Sequence, residues 1–306
     1  MKTPYLIFEF FLVKTCMQML SEDKYKLGFM IFWAVNPVVI YSAYMVGHLD
    51  LIAAFFVVLA CRLSLEKGKG RLACLSLAVG ALFKLFPIAF LPMVLFVSSR
   101  SIKEFVVSSL YGILPLVFFY GIFYMISGTP SFGLVKVLGH DLNTSTDYGI
   151  LFLRLCQISI YGLVCAHIIL IRRGNLDYPA LCQYFMIIYM AMYWGSLVSS
   201  THRYIWIMPF FIFYVQLQPR WRLPLYILMV VIFLTGLRSR EQFMGIFSPL
   251  NVEFFMSFPS LKDVTWFLFG PKLFDTIMET VFKLGTAVMA LFMLKNLYFP
   301  NRKEAA

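Results

Sequence analysis

Long apolar runs separated by short basic connectors constrain the fold of this chain more than any other feature. Hydrophobic residues make up 61% of the 306 residues and charged residues 13%, whereas a soluble domain is about half apolar and a quarter charged. Several runs approach the roughly 20 residues that span a bilayer as a helix. Because the alternation of a β-barrel is absent, the runs predict an all-α, polytopic transmembrane bundle of about 10–11 spans.

The predicted spans form a single integral membrane domain that covers residues 1–306. Glu9 and Lys14 interrupt the first apolar run, which argues against a cleavable signal peptide. Residues Arg71–Val97 are predicted to form a hairpin that is broken at the sequence FKLFP. The spans are Pro4–Leu20, Gly28–Tyr44, Leu49–Leu65, Arg71–Lys84, Pro87–Val97, Phe105–Ile126, Ile158–Ile171, Tyr178–Val198, Tyr204–Leu217, Leu223–Leu237 and Thr276–Leu294.

Lysine and arginine gather in one set of alternating connectors, and this asymmetry predicts the orientation. The positive-inside rule assigns connectors such as EKGKGR, SSRSIKE and QPRWR to the cytoplasm. The formal net charge of +11 is therefore attributed to loops beside anionic lipid rather than to a nucleic-acid partner. The opposite, extracytoplasmic set includes the long loops Ser127–Gln157 and Arg238–Asp275.

The absence of several well-known motifs argues against several classes of function. No zinc spacing, Walker motif, dinucleotide-binding glycine pattern or nucleophile elbow is present, so no metal or other cofactor is predicted. The six cysteines lie mostly in apolar runs and are interpreted as small buried hydrophobic residues. His167 lies within an apolar run and is interpreted as a hydrogen-bonded packing histidine.

Polar residues on the extracytoplasmic side are candidates for a site. In the sequence VGHLD, His48 and Asp50 flank a turn; Asp50 either caps the next helix or supplies a carboxylate that acts as a base. Lys84 in FKLFP either extends its amine to the membrane interface or presents a cation to a phosphate.

A second candidate segment is THRYIWIMPFF, which contains His202 and Arg203. These residues either belong to an interfacial belt of aromatic and basic side chains or bind a lipid phosphate, for which a guanidinium is well suited. The polar stretch with His140, Asp141 and Asp147 is interpreted as a solvated loop.

The sequence NPVVIYSAYMVGHLD, followed by LAVGALFKLFPIAFLP, resembles the GT-C superfamily of polytopic glycosyltransferases, in particular its polyprenol-phosphate-mannose-dependent branch. The helix THRYIWIMPFF is similar to the Y-x-[LIW]-x-x-P helix of that family. The resemblance is strongest over roughly Pro4–Val97. The matching residues are Asn36, Pro37, Gly47, His48, Asp50, Lys84 and Pro87.

The resemblance implies transfer of a hexose, by analogy mannose, from a polyprenyl- or dolichyl-phosphate donor to a lipid-linked or glycan acceptor. In such enzymes an acidic residue deprotonates the acceptor hydroxyl at the extracytoplasmic or lumenal face, and basic residues hold the leaving phosphate. The outer loop that bears this acid in the family is missing here, so Asp50 is the substitute candidate for the catalytic base. The substrate-binding candidates are His48, Lys84, His202 and Arg203. The membrane would be the plasma membrane of a prokaryote or the endoplasmic reticulum of a eukaryote.

The chain departs from the family at its start. Relatives have an N-terminal helix and an acidic outer loop before the segment matched by KTPYLIFEFF, so the chain is expected to be truncated relative to them. The missing acidic loop favours a second hypothesis, a non-catalytic subunit that recognises a lipid-linked glycan, similar to a membrane subunit of the GPI transamidase, or a degenerate fragment. A transporter is a third alternative, but no internal repeat is visible.

Overall fold

A computed structural model describes residues 3–46, 49–128, 148–172, 176–194, 201–218, 222–236, 264, 266–268, 270 and 273–298. Regular structure within these ranges is helical, and no strand occurs in them. The all-α prediction is therefore confirmed for the described part of the chain. His48, His140, Asp141 and Asp147 lie outside the described residues.

The helices follow the predicted apolar runs closely. The α-helices are α1 (Thr3–Met19), α2 (Asp23–Ala34), α3 (Pro37–Val39), α4 (Asp50–Leu65), α5 (Gly70–Phe83), α6 (Leu91–Ser98), α7 (Ile102–Ser127), α8 (Tyr148–His167), α9 (Tyr178–Trp194), α10 (Met208–Leu217), α11 (Arg222–Gly236) and α12 (Leu273–Tyr298). Two π-helical segments, Ile40–Val46 and Ile168–Arg172, and two 3-10 helices, Phe86–Phe90 and Thr201–Trp206, adjoin them.

The helices differ in their capacity to cross a membrane. By length and composition, α7 is the one described helix that could span a bilayer alone, with a mean hydropathy of 1.9. A second span is possible if α2 and Pro37–Tyr44, which are bent by 47° relative to each other, act as one broken segment. The shorter apolar helices have 10–17 residues, so the predicted number of spans stays a prediction.

The chain divides into two compact units. The terminal unit contains Met1–Ala54 and Val198–Ala306, and the central unit contains Phe55–Leu197. The first turn of α4 belongs to the terminal unit, and the rest of that helix belongs to the central unit.

Within the central unit, α5 and α6 form the predicted hairpin. Helix α5 ends at Phe83, and a 3-10 helix that includes Pro87 leads into α6. Proline lacks the backbone N–H and crowds the preceding turn, so it favours a break in the helix. A Cβ built on Gly70 would lie 2.8 Å from the Ser98 Cβ, so the start of α5 adjoins the end of α6. The predicted break at FKLFP is confirmed.

Two further pairs of helices are in contact within the central unit. Helix α7 approaches α6 closely at Gly112, where an added Cβ would lie 2.6 Å from Leu91 Cδ1. Helices α8 and α9 are joined by a contact between His167 Nδ1 and the Tyr184 hydroxyl at 2.5 Å. Because His167 is buried, its interpretation as a hydrogen-bonded packing histidine is confirmed.

The predicted loop Ser127–Gln157 is wrong in its last ten residues. Helix α8 already begins at Tyr148 and runs for 20 residues. Arg154 and Gln157 interrupt the apolar sequence here, but neither is a helix breaker, and the chain continues helically through both. The polar stretch before Tyr148 lies outside the described residues.

Within the terminal unit, the predicted span Gly28–Tyr44 is also wrong as one continuous helix. It breaks at Asn36, whose side-chain Oδ1 accepts hydrogen bonds from the amides of Val38 at 2.9 Å and Val39 at 3.2 Å. Pro37 occupies the first position of α3, where its missing N–H costs no helical hydrogen bond. The asparagine and proline of the family-like motif therefore have a local structural role, which is to start a new helix after a bend.

Helix α10 packs antiparallel to α2 in the terminal unit. Gln216, near the end of α10, occupies the space beside Gly28, near the start of α2. At the other end of the pair, Asn36 Nδ2 lies 3.8 Å from the sulfur of Met208. The start of α10 therefore lies at the Asn36 end of α2. The segment that precedes α10, which includes Thr201–Trp206, lies at that end too, away from Gly28.

Candidate functional site

Asp50 is a buried carboxylate at the start of α4. Its side chain is 1% exposed, and its Oδ1 accepts a hydrogen bond from Trp206 Nε1 at 2.8 Å. The first helical turn is closed by the carbonyl of Leu49, which accepts from Ile52 and Ala53. A negative charge in this first turn is favoured by the helix dipole. Asp50 is thus both suited to its place in α4 and bound to a residue 156 positions away.

The partner of Asp50 belongs to the second candidate segment. Thr201–Trp206 forms a 3-10 helix that is anchored by the buried side chains of Tyr204 and Ile205 and packs against the π-helical segment Ile40–Val46. A 3-10 helix has three residues per turn, so the backbone of Arg203 lies one turn before Trp206. The structure therefore brings the helix that carries His202 and Arg203 next to Asp50.

The simpler interpretation of Asp50 as a helix cap explains only part of this geometry. A cap would accept hydrogen bonds from the amides of its own helix, but the hydrogen bond at Oδ1 comes from the indole of Trp206. Trp206 was regarded in the sequence as an interfacial aromatic residue. Its contact with Asp50 could not be read from the sequence, because neither residue has a local feature that specifies the other.

Lys84 belongs to the central unit and lies at the end of α5. Its backbone N–H donates to the carbonyl of Gly80 at 3.1 Å, its backbone is extended, and its side chain is half-buried. The break of the helix places it ahead of the 3-10 helix that contains Pro87. Its predicted role in phosphate binding stays a prediction, as does that of His48.

A second buried carboxylate in the terminal unit was missed as a site residue. Glu9 is 9% exposed; its Oε1 accepts from Trp33 Nε1 at 2.8 Å, and its Oε2 accepts from the Tyr44 hydroxyl at 2.5 Å. Trp33 precedes the break at Asn36 and Tyr44 follows it, so one carboxylate joins both arms of the bent segment. The signal was a carboxylate inside an apolar run, because such residues are costly in a membrane and generally have a partner.

The described residues contain no group of three or more histidine, cysteine or acidic side chains that could hold a metal ion. All six cysteines are free thiols, and all except the half-buried Cys156 are buried. Their interpretation as small buried residues is confirmed. Around Asp50, the groups available for chemistry are therefore its carboxylate, which the indole of Trp206 holds, and the adjoining 3-10 helix that carries His202 and Arg203.

Comparison of the chain with protein-family models, with characterised proteins and with solved structures finds no match. The resemblance to GT-C glycosyltransferases accordingly depends on the motifs quoted above and on nothing further.

Proposed function

We propose that this chain is a polytopic membrane glycosyltransferase of GT-C-like architecture, which transfers a hexose from a polyprenyl-phosphate donor to a lipid-linked or glycan acceptor at the extracytoplasmic face. The observation that carries the proposal is the hydrogen bond from Trp206 to Asp50. It joins the two segments, VGHLD and THRYIW, that the resemblance assigns to the acceptor and the donor phosphate.

The exposed apolar surface of α7 supports a membrane location. Only 17% of its apolar stretch is buried, and Met125 and Ile126 are 76% and 80% exposed. Apolar surfaces of this extent mark membrane or protein contacts. Lipid accounts for a helix that is long enough to cross the hydrocarbon core and has exposed apolar side chains from its first turn to its last.

The proposed reaction uses one carboxylate and one cation. The acceptor hydroxyl oxygen bonds to the anomeric carbon of the donor while the bond from that carbon to the phosphate oxygen breaks. The hydroxyl proton passes to Asp50, and the polyprenyl phosphate leaves with the electron pair. Arg203 stabilises the phosphate through charge-assisted hydrogen bonds, and the indole of Trp206 holds the carboxylate of Asp50 in place.

Transfer and binding assays test this assignment. Purified protein in detergent is assayed for binding of a synthetic polyprenyl-phosphate mannose and, in membranes, for transfer of the labelled sugar to lipid-extractable acceptors. We expect Arg203→Ala to weaken donor binding by about tenfold to a hundredfold and Arg203→Lys to weaken it too, because lysine lacks the bidentate fork. Asp50→Asn should abolish transfer while donor binding persists. Arg222→Ala, on α11, is the control and should leave both unchanged.

A non-catalytic subunit is the second candidate, and the burial of Asp50 favours it. A carboxylate that is 1% exposed and already bound to an indole resembles a structural contact. For such a subunit we expect donor or glycan binding without transfer and no effect of Asp50→Asn on binding. Transfer by the wild type would exclude the non-catalytic subunit, and transfer that is retained in Asp50→Asn would overturn the role of Asp50 as the base.

The proposed topology is tested by labelling single cysteines in a cysteine-free background. Lys67→Cys should react with a membrane-impermeant maleimide only after the cells are permeabilised, because Lys67 is exposed and the connector Glu66–Gly70 is predicted to be cytoplasmic. Labelling of Lys67→Cys in intact cells would overturn the orientation. Ser127→Cys is the matched control. It lies at the end of α7 that is predicted to be extracytoplasmic, so it should react in intact cells.

A further inference from the structure

One end of the central unit concentrates exposed positive charge. The connectors before α5 and before α7 are neighbours there, because Gly70 packs against Ser98. The tertiary contact thus joins the two basic sequences EKGKGR and SSRSIKE into one surface. We call it the four-cation face, and its members, all exposed, are Lys67, Arg71, Arg100 and Lys103.

The acidic side chains of these two connectors bind groups other than the four cationic side chains. Glu66 lies 3.0 Å from Arg62 Nε and also accepts from Lys69; the hydrogen bond from Lys69 lowers the pKa of Glu66 below its usual range. Glu104 accepts from the backbone N–H of Arg100 at 2.7 Å and so helps to cap α7.

The cations of the face therefore have no acidic partner within the described part of the chain. None of the four makes an ion pair with another described residue. Clustered cations repel one another, and an external anion that binds them relieves this repulsion. Arginine contributes a planar fork that matches phosphate oxygens, and lysine contributes a compact point charge.

Exposed apolar side chains lie directly beside the cations. Leu72 follows Arg71 and is 50% exposed, and Ile102 precedes Lys103 and is 85% exposed. Alternation of cations with exposed aliphatic groups is typical of surfaces that sit at the boundary between lipid headgroups and acyl chains. A soluble phosphate ester would use the cations and leave the aliphatic groups in water, so the surface fits a lipid better.

We propose that the four-cation face binds the phosphate headgroup of an anionic phospholipid in the membrane that holds this protein. This inference rests on the proposed membrane location and is independent of glycosyl transfer. The cations bind the phosphate, while Leu72 and Ile102 contact the first methylene groups of the acyl chains. The lipid is a partner of the α4–α5 and α6–α7 connectors and takes no part in the chemistry proposed for Asp50.

The test compares lipid preferences of two charge-matched variants. Full-length protein is reconstituted in phosphatidylcholine with a trace of spin-labelled phosphatidylglycerol, and the motionally restricted fraction gives its association constant relative to labelled phosphatidylcholine. The wild type should prefer phosphatidylglycerol by about tenfold at low salt. A variant with glutamine at all four positions of the face should show almost no preference. The control is Lys24→Gln, Lys26→Gln, Arg222→Gln and Lys295→Gln in one chain, which should keep the preference.

The outcomes separate the lipid site from the other proposals. Equal loss of preference in both variants would show a general charge effect and overturn the site. Full preference in the face variant would overturn it too.

Competition by soluble glycerol phosphate at the same headgroup concentration would assign the face to a free phosphate ester. Flotation of carbonate-washed vesicles tests the membrane location separately, and failure to float would overturn both inferences. If the fourfold variant does not fold, two double variants replace it: Lys67→Gln with Arg71→Gln, and Arg100→Gln with Lys103→Gln. In each of them the preference for phosphatidylglycerol should fall by about threefold.

Discussion

The contacts within the terminal unit differ in kind from the contacts within the central unit. In the terminal unit, side chains far apart in sequence form hydrogen bonds with each other, as Glu9 does with Trp33 and Asp50 does with Trp206. In the central unit, hydroxyl groups bond to backbone carbonyls of neighbouring helices: Ser76 donates to Phe56 at 2.8 Å. The buried pair His167 and Tyr184 shows that contacts between side chains occur in the central unit as well.

This difference separates a region suited to chemistry from one suited to support. Buried side-chain networks fix particular residues in particular places, but a partly satisfied network is costly. Close packing through glycine and hydroxyl contacts to carbonyls stabilises helices without using ionisable groups. The two buried carboxylates of the described residues, Glu9 and Asp50, both lie in the terminal unit, which is where we propose the reaction.

The largest effect should come from breaking the carboxylate network of the terminal unit. Glu9→Ala leaves the buried indole N–H of Trp33 without its acceptor and removes the bond from Tyr44, so the free energy of unfolding should fall by about 3 kcal/mol. Denaturant unfolding in detergent micelles measures it. Replacing all three residues, as Glu9→Leu, Trp33→Phe and Tyr44→Phe, should recover most of the loss because no polar group then remains unpaired. Wild-type stability of Glu9→Ala would remove the distinction between the units.

Close packing in the central unit should be the next most sensitive. Gly112→Val forces the new side chain against Leu91, since even a Cβ would lie 2.6 Å from Leu91 Cδ1, and overpacking costs about 2 kcal/mol. Gly121→Val is the matched control on the same helix, because nothing lies within 4 Å of its Cβ position. The midpoint of thermal unfolding, followed by circular dichroism, should drop for Gly112→Val and stay near the wild-type value for Gly121→Val. Equal midpoints would contradict close packing at Gly112.

The buried pair His167 and Tyr184 of the central unit should have a smaller effect. Tyr184→Phe removes the partner of His167 Nδ1 and should lower the free energy of unfolding by about 1 kcal/mol. The double variant His167→Phe and Tyr184→Phe should be more stable than Tyr184→Phe alone, because the buried ring nitrogen is then absent. A double variant that is less stable by the sum of both single losses would show that the two residues contribute independently.

The smallest effect should appear in the pH dependence of the connectors. The hydrogen bond from Lys69, with the charge of Arg62, lowers the pKa of Glu66 from its usual value of 4.5. Stability from this group is therefore fully present above about pH 4.5 and is lost as the pH falls through the lowered pKa. The contribution is at most about 1 kcal/mol, because exposed ion pairs are weak. In unfolding measurements between pH 3 and pH 7, the difference between wild type and Glu66→Gln should vanish at the acidic end; a constant difference would exclude this linkage.

Local sequence determined much of the fold. Apolar runs with helix-compatible residues predicted the helical elements, and Pro87 after Lys84 predicted the break between α5 and α6. The same rules failed at Asn36, where the run predicted as one span contains a bend, and at Tyr148, where the predicted loop is already helical. In both cases composition was a weaker guide than the local backbone chemistry, which is the missing amide of proline at the bend and the absence of a breaker in α8.

The pairing of residues into a site was decided only by the tertiary structure. The sequence singled out Asp50, His202 and Arg203 as polar residues in apolar surroundings, since burial of such groups needs a reason. It could not join them, because the contact between Asp50 and Trp206 depends on where α10 packs along α2. Nor could it pair Glu9 with Trp33 and Tyr44, whose common carboxylate requires the bend at Asn36. Periodicity and composition act over a few neighbouring residues, whereas these hydrogen bonds form only after whole helices have packed.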